Sequence, residues 1–291
     1  MQSHQNDKND SLFSSLCSSH NTPIAMGILN CTPDSFYEGS RKQTESEIAE
    51  RACEIIREGG QIIDIGAFST RPGAQPVSEA EELRRMRNAL EVVRRELPDA
   101  VLSVDTYRPV VARMATDEFG VQIINDVSEG GLTGITGVEL DERLTDGNVP
   151  DMFREVARSG ACYILMSVQK DISAMIGNFR RELDILHGLG HDKVILDPGF
   201  GFGKEVLTGN YDVLRNMNEL RKAFPEKPLL AALSRKRMIW MVLGCTAQDE
   251  SALHGTMLLN LVALQNGASI LRVHDVAAAV ETIKIWQQIS A

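Results

Sequence analysis

Polar side chains recur along this chain at one kind of position, within or directly after short apolar runs. They are Asn30, Asp64, Asp105, Asn125, Asp126, Asp197, Lys236, Arg272 and His274. A buried charge is costly unless it is paired, and any one of these residues could be a hydrogen-bonding anchor of the core. Their repetition from one apolar run to the next is harder to explain by structure alone. It predicts that they gather into one site.

The predicted site residues fall into two chemical groups. Hydrogen-bond acceptors and an amide form the first group, which consists of Asp105, Asn125 and Asp197. An oxygen ligand and several cations form the second group, which consists of Asn30, Arg71, Lys236, Arg272 and His274. The first group suits a flat nitrogen heterocycle rich in N–H groups, and the second suits an anion such as pyrophosphate with Mg²⁺. Together they indicate transfer of a heterocyclic group from a phosphorylated donor.

Apolar runs and amphipathic stretches alternate along the chain and supply the elements that must position these side chains. The runs are nearly continuous, as in Ile62–Ile65, which is typical of strands buried on both faces of a parallel sheet. The predicted strands are Ile24–Asn30, Gln61–Ala67, Val101–Tyr107, Val121–Val127, Cys162–Val168, Lys193–Gly199, Pro228–Ser234 and Ser269–Asp275. The predicted helices are Glu45–Glu58, Glu79–Leu97, Asp151–Ser159, Ser173–Leu189, Tyr211–Phe224, Glu250–Gln265 and Ala277–Ile289.

Strands that alternate with helices over roughly 250 residues favour an α/β fold, the single-domain (β/α)₈ TIM barrel. A doubly wound sheet is the alternative. We expect a flexible, disordered N-terminal tail over residues 1–22 and a barrel domain over residues 23–291. The stretch Glu129–Pro150, rich in Gly, Thr and Asp, predicts an enlarged loop on the face where barrel enzymes place their active sites.

The composition narrows the setting in which the chain works. A formal net charge of -10 argues against a nucleic acid or an anionic membrane as the main partner. No apolar run approaches the ~20 residues that span a bilayer, and the opening residues make a poor signal peptide. The 5 cysteines are scattered without metal-ligand spacing and are expected to be reduced thiols. We therefore expect a cytoplasmic protein.

Two features imitate familiar motifs without satisfying them. The segment Gly199–Lys204 looks like a phosphate-binding P-loop, but Pro198 and Glu205 stand where that loop needs Gly and Ser or Thr. The 6 histidines show no paired metal-ligand spacing. Among them, His274 is the one expected in the site, because it ends a strand beside Arg272.

Eight segments of the chain, in this order, resemble the dihydropteroate synthase family. They are Met26–Phe36, Asp64–Gly66, Ser69–Ala74, Ser103–Thr106, Ile124–Val127, Leu196–Lys204, Ser234–Lys236 and Arg272–Val276. The resemblance extends from about Ile24 to the end of the chain, and eight segments in the right order make it specific. It implies a folate-biosynthesis transferase, usually a homodimer and a sulfonamide target. Such an enzyme condenses 6-hydroxymethyl-7,8-dihydropterin pyrophosphate with p-aminobenzoate to give 7,8-dihydropteroate and pyrophosphate.

The resemblance also implies roles that agree with the two chemical groups. The pterin ring would be held by Asp105, Asn125, Asp197 and Lys236. The pyrophosphate and its Mg²⁺ would be handled by Asn30, as metal ligand, with Arg272 and His274. The p-aminobenzoate pocket would be shaped by Phe36, Thr70, Arg71, Pro72 and Phe202, and Asp34 would help to order its closed state. The predicted catalytic residues are Asp34, Thr70, Arg71, Lys236, Arg272 and His274.

Three departures from the family pattern bear on the function. Ser167 stands where relatives usually have His, and the loop Glu129–Pro150 is longer than is typical. Arg237 stands where relatives usually have a Ser that contacts the p-aminobenzoate carboxylate. The Arg237 side chain could bind that carboxylate or point into solvent.

The departures leave two rival interpretations. One is a non-catalytic or altered-specificity pterin-binding paralogue. The other is a methyltetrahydrofolate-type methyltransferase barrel. The second would not need the loops Thr32–Phe36 and Thr70–Pro72 or the Arg272 and His274 pair.

Overall fold

The computed structural model describes residues 2–18, 22–31, 41–68, 77–131 and 149–290, with side chains for all of these except 2–4 and 41–43. Its strands are β1 (Ile24–Asn30), β2 (Ile62–Gly66), β3 (Val101–Asp105), β4 (Ile123–Asp126), β5 (Cys162–Met166), β6 (Val194–Asp197), β7 (Leu230–Ala231) and β8 (Ile270–Val273). Its helices are α1 (Gln2–Ser18), α2 (Arg41–Arg57), α3 (Glu79–Glu96), α4 (Pro109–Phe119), α5 (Asp151–Ser159), α6 (Ile172–Gly188), α7 (Thr208–Arg215), α8 (Met217–Ala223), α9 (Arg237–Leu243), α10 (Glu250–Gln265) and α11 (Val276–Ser290).

The eight strands form one parallel sheet that curls into a barrel. Their order is β6-β5-β4-β3-β2-β1-β8-β7, so each strand lies beside its neighbour in sequence and β8 lies beside β1. The remaining gap is closed beside β7, where the Leu196 amide donates to the Pro228 carbonyl at 2.9 Å and Leu196 forms a parallel bridge with Leu229. The predicted (β/α)₈ barrel is confirmed. The doubly wound sheet is wrong, because such a sheet would leave β1 and β8 apart.

The interior of the barrel changes character along the strands. Side chains alternate in direction with a period of two, so every second residue faces the lumen. In β2, Ile62 belongs to an apolar cluster that fills the amino-terminal half of the lumen. Two residues further along, the lumen receives the carboxylate of Asp64, and at the end of the strand it receives Gly66. A larger apolar cluster between the strands and the surrounding helices carries most of the core.

The amino-terminal end of the barrel is covered by α1, where we expected a flexible tail. Leu16 of this helix is 2% exposed within the apolar lumen cluster, and Leu12 and Phe13 pack against the same cluster. The Asn9 amide donates to the Gly160 carbonyl at 3.0 Å, and Lys193 pairs with Asp10 at 2.6 Å. In the structure, residues 2–18 form this helix, and a short apolar patch in an otherwise polar sequence closes the open barrel end.

Four other helices differ from the predicted pattern. Helix α4 was missed, since it is short, begins at a proline and continues with two β-branched valines. The predicted helix Tyr211–Phe224 is two helices, α7 and α8, that meet at Asn216. Helix α9 is an additional short element directly after the Lys236 motif. Strand β7 is shorter than predicted, with two residues in the ladder.

Helix α3 fixes the end of β3. This strand ends in the predicted site residue Asp105 and is followed by Thr106. Glu82 of α3 is fully buried, accepts a hydrogen bond from the Thr106 hydroxyl and pairs with Arg108. Burial raises the pKa of Glu82, while the bonds from Thr106 and Arg108 oppose that rise. The segment that follows Asp105 is therefore held by an ion pair behind the sheet.

Candidate active site at the carboxyl ends of the strands

The parallel strands bring the predicted site residues to one rim of the barrel. Asn30, Asp105, Asn125 and Asp197 lie in the last two positions of β1, β3, β4 and β6, while Arg272 lies one residue before the end of β8. Lys236 and His274 follow β7 and β8. The predicted gathering of these residues is confirmed in the backbone topology, since carboxyl ends of parallel strands share an edge.

Arg272 is the centre of a charged cluster inside this rim. Its Nε donates to Oδ2 of Asp64 at 2.6 Å, and its Nη2 donates to Oδ2 of Asp105 at 2.7 Å. The amide of Asn125 donates to the same Asp64 Oδ2 at 3.1 Å. One arginine from β8 thus joins carboxylates from β2 and β3, and the Asp64 carboxylate also joins β4.

The cluster has unusual acid–base properties. Burial raises the pKa of Asp105 to about 7; the charge of Arg272 opposes this rise and the charge of Asp64 adds to it. Burial alone would lower the pKa of Arg272, but the carboxylates of Asp64 and Asp105 hold it above its ordinary value. The guanidinium therefore stays charged, whereas Asp105 can take up a proton close to neutral pH.

A second charged pair lies across the rim on β6 and the segment after β7. Asp197 is buried and its Oδ1 accepts a hydrogen bond from the Gly199 amide at 2.7 Å. The Lys236 ammonium donates to the Phe200 carbonyl and lies 4.8 Å from the centre of the Phe202 ring. Burial lowers the pKa of Lys236 to about 8, although the charge of Asp197 opposes that shift. An acceptor, a cation and an aromatic face are thus available to one flat ligand.

The glycine-rich loop Gly199–Gly203 lies directly against the end of β5. A Cβ on Gly199 would be 2.0 Å from the Ser167 carbonyl oxygen, and a Cβ on Gly203 would be 2.1 Å from the Val168 carbonyl oxygen. Both glycines also have positive φ, 67° and 63°. The segment that resembled a P-loop is therefore shaped by close packing on β5.

Lys204 holds this loop from below, a role that sequence reasoning missed. Its ammonium donates to the carbonyls of Gly199 at 2.9 Å, Phe202 at 3.0 Å and Ser167 at 3.4 Å. Burial lowers the pKa of Lys204 to about 8, and the charges of Asp197 and Glu129 oppose the shift. The available signal was a lysine directly after a loop of alternating glycines.

The departure at Ser167 is accompanied by a buried acid at the start of the enlarged loop. Ser167 is buried, and Glu129 reaches the same place with its Oε1 accepting from the Val168 amide at 3.1 Å. Glu129 is 3% exposed and adopts a positive φ of 52°. Burial raises its pKa to about 7, while its hydrogen bonds from Val168 and Ser167 oppose the rise.

The predicted anion group is arranged around the ends of β1 and β8. His274 Nδ1 lies 3.0 Å from the Ser234 hydroxyl. The next residue in each segment is also paired, since Arg235 forms an ion pair with Asp275 at 2.8 Å. Asn30 is exposed at the end of β1 beside Gly66. A Cβ on Gly66 would lie 3.5 Å from Asn30 Oδ1 and 3.9 Å from Asp105 Oδ2. A methyl group here would make ordinary van der Waals contact with both oxygens, so the two oxygens lie close to each other beside Gly66.

Some predicted site residues cannot be placed with the others. Asp34, Phe36, Thr70, Arg71 and Pro72 lie outside the described residues. Residues 132–148 of the enlarged loop also lie outside them. Their predicted roles remain predictions.

Arg237 lies within the described residues, and its side chain is exposed. It begins α9, is exposed, and its Nε lies 3.2 Å from the sulfur of Met241, one turn along the helix. This position agrees with the solvent-facing alternative for Arg237. It does not bring Arg237 together with the carboxylate cluster.

Comparison with known proteins identifies the family of this barrel. The sequence profile of the pterin-binding enzymes matches residues 26–274. The chain belongs to the pterin-binding enzyme family. Among its members, the dihydropteroate synthase of Haemophilus influenzae is 37% identical over 272 residues, which cover 93% of this chain and 95% of that protein.

Solved structures of this family share both the fold and the sequence. A Xanthomonas albilineans dihydropteroate synthase with 4-aminobenzoic acid superposes with a TM-score of 0.77 at 33% identity, covering 94% of each chain. A Yersinia pestis dihydropteroate synthase in a sulfonamide drug complex superposes with a TM-score of 0.78 at 33% identity, covering 94% of this chain and 96% of that one. The predicted resemblance to dihydropteroate synthases is confirmed.

Three further observations describe this pterin-binding barrel. The 5 cysteines, Cys17, Cys31, Cys53, Cys162 and Cys245, are all free thiols. Within the described ranges, no helix combines the length and apolarity needed to cross a membrane. In the same ranges, no three His, Cys, Asp or Glu side chains form a group that could hold a metal ion by themselves.

Proposed function

We propose that this chain is a dihydropteroate synthase, which joins a pterin pyrophosphate to p-aminobenzoate and releases pyrophosphate. The observation that carries the proposal is the rim itself, where the Arg272 cluster lies among acceptors suited to a pterin ring. The close relatives are synthases, and this supports the synthase over the methyltransferase interpretation.

Two carboxylates and an amide form the proposed pterin site. Asp197, with one oxygen already bound to the Gly199 amide, has its other oxygen available to accept from the pterin amino and ring N–H groups. Asp105 and Asn125 offer further acceptors and donors from the opposite side of the rim, and Lys236 can donate to a ring nitrogen or oxygen. The buried setting strengthens each of these hydrogen bonds, since water does not compete.

The proposed reaction separates a leaving anion from a pterin methylene group. The C–O bond to pyrophosphate breaks first, the methylene carries positive charge, and the arylamine nitrogen then attacks it and loses a proton. Arg272 and His274 would stabilise the charge that grows on the pyrophosphate, and this is where transition-state stabilisation is needed most. The resemblance assigns Asp34, Phe36, Thr70, Arg71, Pro72 and Phe202 to the p-aminobenzoate side.

Magnesium fits this rim only as a partner of the substrate. The oxygens nearest Gly66 are the amide oxygen of Asn30 and the carboxylate of Asp105, which are ligands of the kind Mg²⁺ prefers. Mg²⁺ commonly keeps several waters and binds through one or two protein ligands plus phosphate oxygens. We propose that Asn30 holds Mg²⁺ in this way, and that the ion neutralises pyrophosphate charge when bound.

A pyrophosphate-release assay tests the proposed function directly. Purified protein is supplied with the pterin pyrophosphate, with and without p-aminobenzoate, and with Mg²⁺ or EDTA. A synthase releases pyrophosphate and forms dihydropteroate only when both substrates and Mg²⁺ are present. Pterin binding without product would favour the non-catalytic paralogue, and product formation in EDTA would remove Mg²⁺ from the proposal.

We also propose that the protein is a cytoplasmic homodimer. Helices α9, α10 and α11 are consecutive and pack together, and they present large exposed apolar side chains outward. These are Val242, Leu243, Leu258, Ile285 and Ile289, each 47% to 65% exposed. An apolar surface of this kind suits a second copy of the chain. Sedimentation of wild type and Leu258→Asp tests it, because a monomeric wild type would contradict the proposal.

A sulfonamide should compete with p-aminobenzoate in this enzyme. The Yersinia pestis relative forms a complex with such a drug, and the similarity between the two chains covers most of both. Inhibition by a sulfonamide that is relieved by added p-aminobenzoate would support a shared pocket.

A further inference from the structure

Asp64 was predicted to lie with the site residues, but neither chemical group includes it, and residues of both groups converge on it. Its Oδ2 accepts hydrogen bonds from Arg272, assigned to the pyrophosphate, and from Asn125, assigned to the pterin. Its side chain is fully buried. Asp64 lies two residues before Gly66, and therefore one layer below the rim where ligands would bind.

A comparison with Asp126 shows that Asp64 is not simply a structural anchor. Asp126 is also fully buried at a strand end, and it accepts four hydrogen bonds, from the Ser128 amide and hydroxyl, the Gly130 amide and the Tyr163 hydroxyl. Asp64 has one oxygen, Oδ1, that is buried without a hydrogen-bond partner among the described residues. Structural anchors are normally satisfied, and an unsatisfied buried carboxylate oxygen calls for a functional explanation.

The arrangement of Arg272 around the other oxygen, Oδ2, indicates what the Asp64 carboxylate does. The guanidinium bridges Asp64 and Asp105. The same Asp105 carboxylate is needed by the pterin. Pterin N–H groups and Arg272 would therefore draw on the same Asp105 carboxylate, and Asp64 is the second carboxylate that can retain the guanidinium.

We propose that Asp64 is a positioning residue: it holds Arg272 in the site and leaves Asp105 free for the pterin. The inference rests on the proposed synthase function, because it takes the pterin and pyrophosphate as the two ligands. It adds that the two half-sites are coupled through one buried carboxylate. Without the Asp64 charge, Arg272 would pair with Asp105 alone and compete with the pterin.

A double-mutant cycle between Asp64→Asn and Arg272→Met tests this coupling. Binding of 6-hydroxymethylpterin is measured by calorimetry in all four proteins, and inorganic pyrophosphate with Mg²⁺ serves as the second probe. We expect Asp64→Asn to weaken pterin binding about tenfold in the wild-type background and less than twofold when Arg272 is already Met. An equal loss in both backgrounds would show that Asp64 acts on the fold and would overturn the proposal.

Ser103→Ala is the matched control. Ser103 is the register partner of Asp64 on β3, is fully buried, and has a hydroxyl without a partner in the described part of the chain. Its removal takes a polar atom from the same layer without touching Arg272, so pterin affinity should stay within twofold. A tenfold loss here would contradict a specific role for Asp64.

Two further measurements make the result of the double-mutant cycle interpretable. If Asp64→Asn alone does not fold, the doubly substituted protein has lost both charges of the pair and can be compared with Arg272→Met alone. Equal pterin affinity supports the proposal, and a tenfold difference overturns it. Turnover of the wild-type protein is measured separately, so that failure of the proposed function is distinguished from failure of the Asp64 assignment.

Discussion

The two ends of this barrel differ in the side chains that fill them, which are mainly apolar at one end and charged at the other. At the amino-terminal end, α1 closes the lumen with Leu12, Phe13 and Leu16 and with neutral hydrogen bonds such as that from Asn9 to the Gly160 carbonyl. At the carboxyl-terminal end, the lumen holds the buried charges of the Arg272 cluster. The first end lowers the free energy of the folded state, whereas the second raises it in order to bind ligands.

The difference follows from where water must be excluded and where substrates must enter. Apolar side chains stabilise by roughly 25 cal/mol per Å² of surface removed from water, and α1 adds such burial at an end that no substrate uses. Buried carboxylates and cations are costly, and their pKa shifts measure part of that cost. We therefore expect substitutions at the two ends to separate activity from stability.

The largest expected effect is loss of turnover in Asp197→Ala. Asp197 is 5% exposed, and its free oxygen is the proposed acceptor for the pterin. Loss of a charge-assisted pair in a dry pocket costs ~2–4 kcal/mol, so the pterin Kd should rise at least tenfold while the protein stays folded. Calorimetry with a pterin measures this. Unchanged affinity would remove Asp197 from the site, and Asp212→Ala, at an exposed position on α7, is the control.

The second prediction concerns stability at the same rim. Burial raises the pKa of Asp105 to about 7, whereas an unfolded chain has an Asp pKa near 4. The folded protein thus binds this proton more tightly, and its free energy of unfolding falls as the pH rises from about 4 to about 7. In ligand-free Asp105→Asn this loss is absent, so the variant should gain about 2 kcal/mol relative to wild type above pH 7 and little at pH 4.

Denaturant unfolding of both proteins at pH 5 and pH 8 measures that difference. The Asp105→Asn variant should also lose pterin affinity, since it lacks the charged acceptor. A stability difference that is the same at both pH values would show that the Asp105 carboxyl does not titrate in this range.

The third prediction sharpens the comparison from the opposite end. Leu16→Ala removes a side chain that is 2% exposed and should destabilise the fold by about 2 kcal/mol, the lower end of the range for buried leucines. Turnover at moderate temperature should stay within twofold, because α1 lies far below the rim. Ser14→Ala, at an exposed position of the same helix, should change neither property. Equal loss of activity and stability in Leu16→Ala would contradict the separation of the two ends.

The barrel could be predicted because its strands appear in the sequence as nearly continuous apolar runs. Runs such as Ile62–Ile65 have few alternatives to a doubly buried strand, and their alternation with amphipathic helices fixes the fold class. Helix α1 was not predictable in this way. The helix is polar on average. Its three apolar residues matter only because they cover the open end of the barrel. The spacing of apolar residues within a helix does not show that the helix will cover an open end of the barrel.

The positions of the site residues could be predicted from the strand ends, whereas the hydrogen bonds and ion pairs between their side chains could not. Asp105, Asn125 and Asp197 could be placed by counting along their strands. The bridging of Asp64 and Asp105 by Arg272 depends on distances across the lumen, which no spacing in the sequence encodes. Arg237 is a similar case: its residue type left carboxylate binding and a solvent-facing side chain both open, because the direction of a side chain in the first turn of α9 is not encoded in its chemistry.

The smallest expected effect is that of Arg237→Ser on drug selectivity. An arginine that met the p-aminobenzoate carboxylate with two bonds would favour it over a sulfonamide, so its loss would lower the ratio of sulfonamide Ki to p-aminobenzoate KM. The structure places the guanidinium in solvent against Met241, where charge pairs contribute ~1 kcal/mol or less. We therefore expect the ratio to fall by less than fivefold. Arg237→Lys retains the charge and should leave the ratio nearer to wild type. A tenfold fall in Arg237→Ser would mean that the side chain turns into the pocket when p-aminobenzoate binds, and that this rim residue belongs to the ligand-binding end after all.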